Sequence, residues 1–73
     1  MIGKLEKNQT GRWEYGGREL TCGDSVEIDI GTWLRGRIEH NGRDYCFLAP
    51  DGMTEIKLRR GLPARTPSRE VRL

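Results

Sequence analysis

Two cysteines, one histidine and a few hydroxyls are the soft ligands and nucleophiles of this chain. Cys22, His40 and Cys46, joined by Asp44, make a four-ligand metal set on paper. Cys46 and His40 alone make the parts list of a thiol–imidazole pair. Neither set has the spacing its chemistry needs. A structural zinc site is built on C-x2-C pairs that bring two thiolates to one turn, and no such pair occurs. A catalytic cysteine needs an adjacent base and a third group to orient that base, and the third group is missing. Both cysteines read instead as small buried hydrophobes, and His40 as a strand residue beside a turn. Ser25 and Ser68 lie in turn contexts, with only His40 to serve them. Gly16-Gly17 and Gly31 are separate turn glycines, not a phosphate loop between strand and helix. Glu27 and Asp29 are paired carboxylates two residues apart, the spacing of one solvated strand face. These patterns predict no enzyme and no metal or other cofactor.

Binding chemistry has better material. Trp33, Arg35 and Arg37 alternate, so a strand would present an aromatic ring and two guanidinium groups on one face. Tyr45, with Trp13 or Tyr15, could complete an aromatic platform that stacks a base or boxes a cationic group. Ten of the 13 basic residues are arginine, whose planar fork suits phosphate and carboxylate. The formal charge of +2 is unevenly spread. Residues 21–56 set three arginines against seven acids, a net −4, while residues 57–73 set six basic residues against Glu70, a net +5. Lys57, Arg59, Arg60 and Arg65, continuing into Arg69 and Arg72, form a basic end able to meet several phosphates. Asp24, Glu27, Asp29, Glu39 and Asp44 form the rival surface, an acidic face that could dock on a basic protein groove.

The elements that must carry these residues read as strands. With 73 residues, 34% hydrophobic and 33% charged, the chain has room for one small core in one domain. Glycine or proline interrupts nearly every window, and no helical apolar period survives. Ser25–Ile30 alternates, with Val26, Ile28 and Ile30 apolar against Glu27 and Asp29. In Trp33–His40, Leu34, Gly36, Ile38 and His40 share one face, and Gly36 permits a sharp bend. Asn41-Gly42 predicts a type I′ hairpin turn into Arg43–Ala49. Pro50-Asp51-Gly52 predicts another turn, into the alternating run Met53–Arg60. Arg12–Tyr15 reads as a short strand with an open edge, Leu20 as a core anchor, and Ala64–Thr66 as a closing strand. Five or so strongly bent antiparallel strands predict an all-β, small SH3-like barrel over residues 11–66, with one short helical turn near Gly61–Pro63. Residues 1–10 are read as an N-terminal arm and 67–73 as a basic tail. Met1–Thr10 is polar, and no run approaches the ~18 apolar residues of a membrane helix. A cytoplasmic protein with reduced thiols is expected.

Gly23-Asp24-Ser25-Val26, then Gly31-Thr32-Trp33, Arg35-Gly36-Arg37-Ile38 and Tyr45, resembles the opening hairpin of SH3-like and Tudor-like domains. Over about residues 5–66 the chain also resembles a family of short bacterial proteins of unknown function. That resemblance rests on Arg12-Trp13, on Leu20 to Asp24, on Trp33 with Gly36 to His40, and on Gly61 to Arg65. It implies a small barrel and a setting on plasmids, conjugative elements and phages of Gram-positive bacteria, and brings no biochemical role with it. The combined expectation is a non-catalytic binding module, a monomer or weak homodimer. Its partner would be nucleic acid or a nucleic-acid-binding protein, met through Trp33, Arg35, Arg37, Tyr45, Lys57, Arg59, Arg60 and Arg65. The alternative is a protein-interaction or inhibitor module of a phage or plasmid, anti-CRISPR-like, that uses the acidic central face.

Overall fold

The computed structural model describes residues 2–67. It is all-β among those residues, with nine short strands and no helix: β1 (Ile2–Lys4), β2 (Glu6–Lys7), β3 (Trp13–Tyr15), β4 (Arg18–Glu19), β5 (Ser25–Asp29), β6 (Trp33–His40), β7 (Tyr45–Leu48), β8 (Glu55–Lys57) and β9 (Pro63–Arg65). Six of them make one antiparallel sheet in the order β1-β9-β5-β6-β7-β8, and β2-β3-β4 make a second. The expected closed barrel is not formed by the described residues. β8 pairs with β7 on one side only, and the chain leaves the sheet after Lys57 because Leu58 turns into the core. The three-stranded sheet supplies Trp13 and Tyr15 to the same core.

The expected N-terminal arm is likewise part of the fold. β1 belongs to the first sheet and β2 to the second, and the chain crosses between them at Leu5, which is 0% exposed. Leu5 N–H donates to the Leu62 carbonyl, and Gly61 N–H donates to the Leu5 carbonyl, both at 2.8 Å. These bonds satisfy a buried backbone that would otherwise be costly. Trp13, Tyr15, Leu20, Val26, Ile28, Ile38, Phe47, Leu58, Leu62 and Ala64 complete the core with Leu5. Trp13 and Tyr15 are therefore core residues, not members of a surface platform. Nor is β3 an open edge, because β2 and β4 flank it.

The alternation read in β5 and β6 is present, and their register sets Glu27 opposite Arg35 and Asp29 opposite Trp33. Ile30 departs from it: β5 ends at Asp29 and Ile30 is 49% exposed in the loop. The turns are closed by side chains more than by primed geometry. Asn41 has no positive φ, so the expected type I′ turn does not form. Instead the Asn41 Oδ1 accepts from the backbone N–H of Arg43 and Asp44, each at 3.0 Å, and a four-residue loop results. Such side-chain acceptors compete with regular turns. Asp51 does the same for Met53 and Thr54, Asp29 for Gly31, Asp24 for Thr21, and Asn8 for Thr10 and Arg12. The Thr54 and Met53 donors hold the Asp51 carboxyl below its ordinary value. At Arg60-Gly61 the chain makes a hydrogen-bonded turn, not the expected helical one, because Pro63 already opens β9. The closing strand is Pro63–Arg65, one residue earlier than expected. The basic tail of 67–73 lies outside the described residues beyond Pro67.

Gly36 sits in the middle of β6 with no space for a side chain. A Cβ there would come within 3.0 Å of the Leu48 carbonyl oxygen and of the Phe47 ring. Its φ is not in the left-handed region, so the requirement is for close approach and not for conformation. Overpacking a well-filled site costs about 1–3 kcal/mol, and a core this small supplies roughly 3–5 kcal/mol. Gly36→Ala should thus remove most of the stability, read as a lowered denaturation midpoint. An unchanged midpoint would show that β7 does not rest on the β6 backbone.

Candidate nucleic-acid interface

The two sheets enclose the core, so the other surface of the six-stranded sheet faces outward. Alternation along β6 places Trp33, Arg35, Arg37 and Glu39 there. β5 contributes Ser25, Glu27 and Asp29, and β9 contributes Arg65. The centre of this outer face is Glu27, whose register partners are Arg35 on one side and Arg65 on the other. Arg65 Nε donates to Glu27 Oε1, and the Arg65 guanidinium lies 4.1 Å from the centroid of the Trp33 ring. The carboxylate thus holds the guanidinium over the indole, an arrangement worth about 0.5–1 kcal/mol at a partly exposed site. Arg35 and Arg37 flank Gly36 and line a groove of about 340 Å³ with Ser25, Leu48, Ala49 and Pro50. Arg37 Nε is 2.8 Å from Glu39 Oε2, an exposed pair on its own strand. Arg35 has no such partner among the described residues.

The eight residues singled out in the sequence do not form one surface. Trp33, Arg35, Arg37 and Arg65 come together around Glu27. Tyr45 does not join them. It pairs with His40 at the far end of β6, about 23 Å along an extended strand from Trp33, and on the core side. There its ring packs edge-on to His40, with centroids 4.9 Å apart. Tyr45 and Lys57 line a different groove, with Arg43, Asp44 and Glu55. Arg59 and Arg60 are exposed in the turn before β9, beside Pro63. Lys4, opposite Pro63 on β1, adds a third cation at that end, and an arm reading of residues 1–10 gives no means to place it.

Two contributors were missed by the sequence reading. Ser25 lines the arginine groove, although it was read as a turn residue. Glu27 is a positioning residue for Arg65, although it was read as a solvated carboxylate. The signal for Glu27 is a pairing of strands 38 residues apart, which local pattern does not carry.

The thiol and imidazole groups are separated. Register sets Glu39 opposite Cys46 and His40 opposite Tyr45, so His40 and Cys46 fall on opposite faces of the hairpin. His40 Nδ1 accepts from the Gly42 N–H at 3.1 Å. Cys46 is buried and Cys22 exposed, which corrects the reading of both as buried. Burial pushes the Cys46 thiol up, and its bond to Glu55, with the nearby charges of Glu55, Glu39 and Asp44, pushes it further. Among the described residues no group of three or more His, Cys, Asp or Glu side chains could hold a metal ion.

A family described as a domain of unknown function (DUF5348) matches residues 3–66. The chain belongs to that family. The match begins inside β1 and ends just after β9, so it spans both sheets of the DUF5348 fold. No curated protein and no solved structure matches the chain. No helix among the described residues is long and apolar enough to cross a membrane.

The thiolate is the reactive form of cysteine, so the two thiols should differ sharply. In the native protein a thiol reagent should modify Cys22 rapidly and Cys46 only on unfolding. Equal rates for both would contradict the burial of Cys46.

Proposed function

We propose that this DUF5348 domain is a non-catalytic binding module. It contacts nucleic-acid phosphates through Arg35, Arg37 and Arg65, with Trp33 beside them. The observation that carries the reading is the unequal use of the two signs of charge. All five carboxylates of the rival acidic face are engaged inside the molecule. Asp24 and Asp29 close turns. Glu27 holds Arg65, and Glu39 pairs with Arg37. Asp44 accepts from the Tyr45 N–H and lies 3.7 Å from Lys7 Nζ. By contrast Lys4, Arg35, Arg43, Lys57, Arg59 and Arg60 are exposed, with no ion-pair partner among the described residues. The carboxylates of that face are thus tied to the fold, while these six cations are free to meet a partner.

The groove suits a phosphate–sugar strand. Two guanidinium forks reach the phosphates while Leu48, Ala49 and Pro50 meet the apolar sugar edge. The Arg65–Trp33 stack offers a flat cationic plate beside it, on which a base can lie. Lys4, Arg59 and Arg60 extend the positive field at one end of the domain. The antiparallel sheet of short strands supports an SH3-like reading, and the resemblance to small proteins of bacterial mobile elements fits a cytoplasmic setting beside nucleic acid.

Fluorescence anisotropy with labelled single-stranded DNA, RNA and duplex probes tests this. Affinity should fall steeply with salt, at about 0.7–0.9 decades per decade of salt for each phosphate neutralised. Arg35→Glu with Arg37→Glu should weaken binding and flatten the salt slope by about two. No binding to any probe at low salt, with capture of a basic protein instead, would support the acidic-face alternative and overturn this one.

A further inference from the structure

β8 is an edge of the six-stranded sheet, paired with β7 and, among the described residues, with nothing on its other side. The phase of its backbone groups can be read. Ala49 N–H donates to the Thr54 carbonyl at 2.9 Å, and this pair continues the register that sets Leu48 opposite Glu55. Antiparallel pairs alternate between bonded and non-bonded positions. Ala49/Thr54 and Phe47/Ile56 are therefore the bonded pairs, and Leu48/Glu55 and Cys46/Lys57 are not. Ile56 turns its N–H and C=O towards β7. Glu55 and Lys57 turn theirs outward, where a further strand would lie.

The segment Glu55-Ile56-Lys57 is its own complement about Ile56. A second copy laid antiparallel would set Glu55 against the partner's Lys57, and Lys57 against the partner's Glu55. Ile56 would meet the partner's Ile56 on the axis. We propose that β8 is a homodimer seam with this register. Three properties agree on it. The outward backbone groups of Glu55 and Lys57 supply four N–H···O bonds, two at each Glu–Lys pair. The Glu55 and Lys57 side chains are both exposed on the outer face, so opposite charges meet across the seam. Ile56 is half-buried on the inner face, packed against the core, and the partner's Ile56 would cover its exposed part.

The sign order also selects against other pairings. A parallel second copy would set glutamate against glutamate and lysine against lysine. A shift of one residue would put Ile56 against a charge and reverse the faces. Charged residues on a short edge usually deter pairing. Here they deter every register but one, and the interface is isologous, as two-fold dimers require. Three residues per strand make a weak seam, so the dimer forms with rising concentration.

Sedimentation velocity without nucleic acid, from about 10 μM to about 1 mM protein, tests the seam. The wild type should pass from monomer to dimer across that range. Glu55→Lys alone and Lys57→Glu alone should each weaken dimerisation by about ten-fold, because each sets like charges opposite one another twice. The double variant, Glu55→Lys with Lys57→Glu, restores opposite charges and should dimerise within about three-fold of the wild type. A wild type that stays monomeric throughout would overturn the proposal. So would a double variant as weak as the singles, or a dimer indifferent to all three.

Discussion

The close approach of β7 to the backbone of β6 at Gly36 is the constraint on which the rest of the structure depends. Phe47 can rest against the strand only because no side chain stands there. That contact brings β7 close to β6, where Phe47 joins a core of eleven buried residues. It also shapes the outer surface. Arg35 and Arg37 flank the glycine and line the groove beside Leu48 and Pro50. Packing on one face and the candidate interface on the other thus share a single residue that has no side chain.

A second economy concerns carboxylates and turns. Nine strands among the described residues mean frequent reversals of direction, and each reversal leaves backbone N–H groups to satisfy. Asparagine and aspartate side chains at Asn8, Asp24, Asp29, Asn41 and Asp51 accept those bonds. Glu27 and Glu39 serve arginines instead. Acid residues are therefore largely structural in this fold. Several cations are not, since Arg35, Arg59 and Arg60 find no carboxylate among the described residues. Surface charge follows from which groups the fold uses, and the formal total of +2 does not express that.

Features carried by local pattern were legible before the structure. The alternation of Val26 and Ile28, the two faces of β6 and the burial of Leu20 all follow from spacing of two and from residue size. Features carried by long-range pairing were not. Glu27 looks solvated until β9 arrives 38 residues later. Residues 2–7 look like a polar arm because only Leu5 enters the core, and two strands of three and two residues carry no period. The Asn41-Gly42 pair has the composition of a type I′ turn, yet the asparagine side chain prefers to accept two backbone bonds. Closure of a barrel cannot be read from strand count either. It depends on whether the chain stays in the sheet after Lys57, and Leu58 decides that by entering the core. For the site, residue types were legible and their grouping was not: Tyr45 pairs with His40, at the opposite end of β6 from Trp33.

The central claim is that the outer face of β9, β5 and β6 meets phosphate while the acidic groups stay engaged within the fold. Backbone and indole NMR shifts, followed while a short single-stranded oligonucleotide is added, test it most directly. The account predicts changes concentrated at Ser25, Trp33, Arg35, Arg37, Arg65 and the loop at Pro50. It is contradicted if the shifts gather instead at Asp24, Asp29 and Asp44, or if no residue of the outer face responds at low salt.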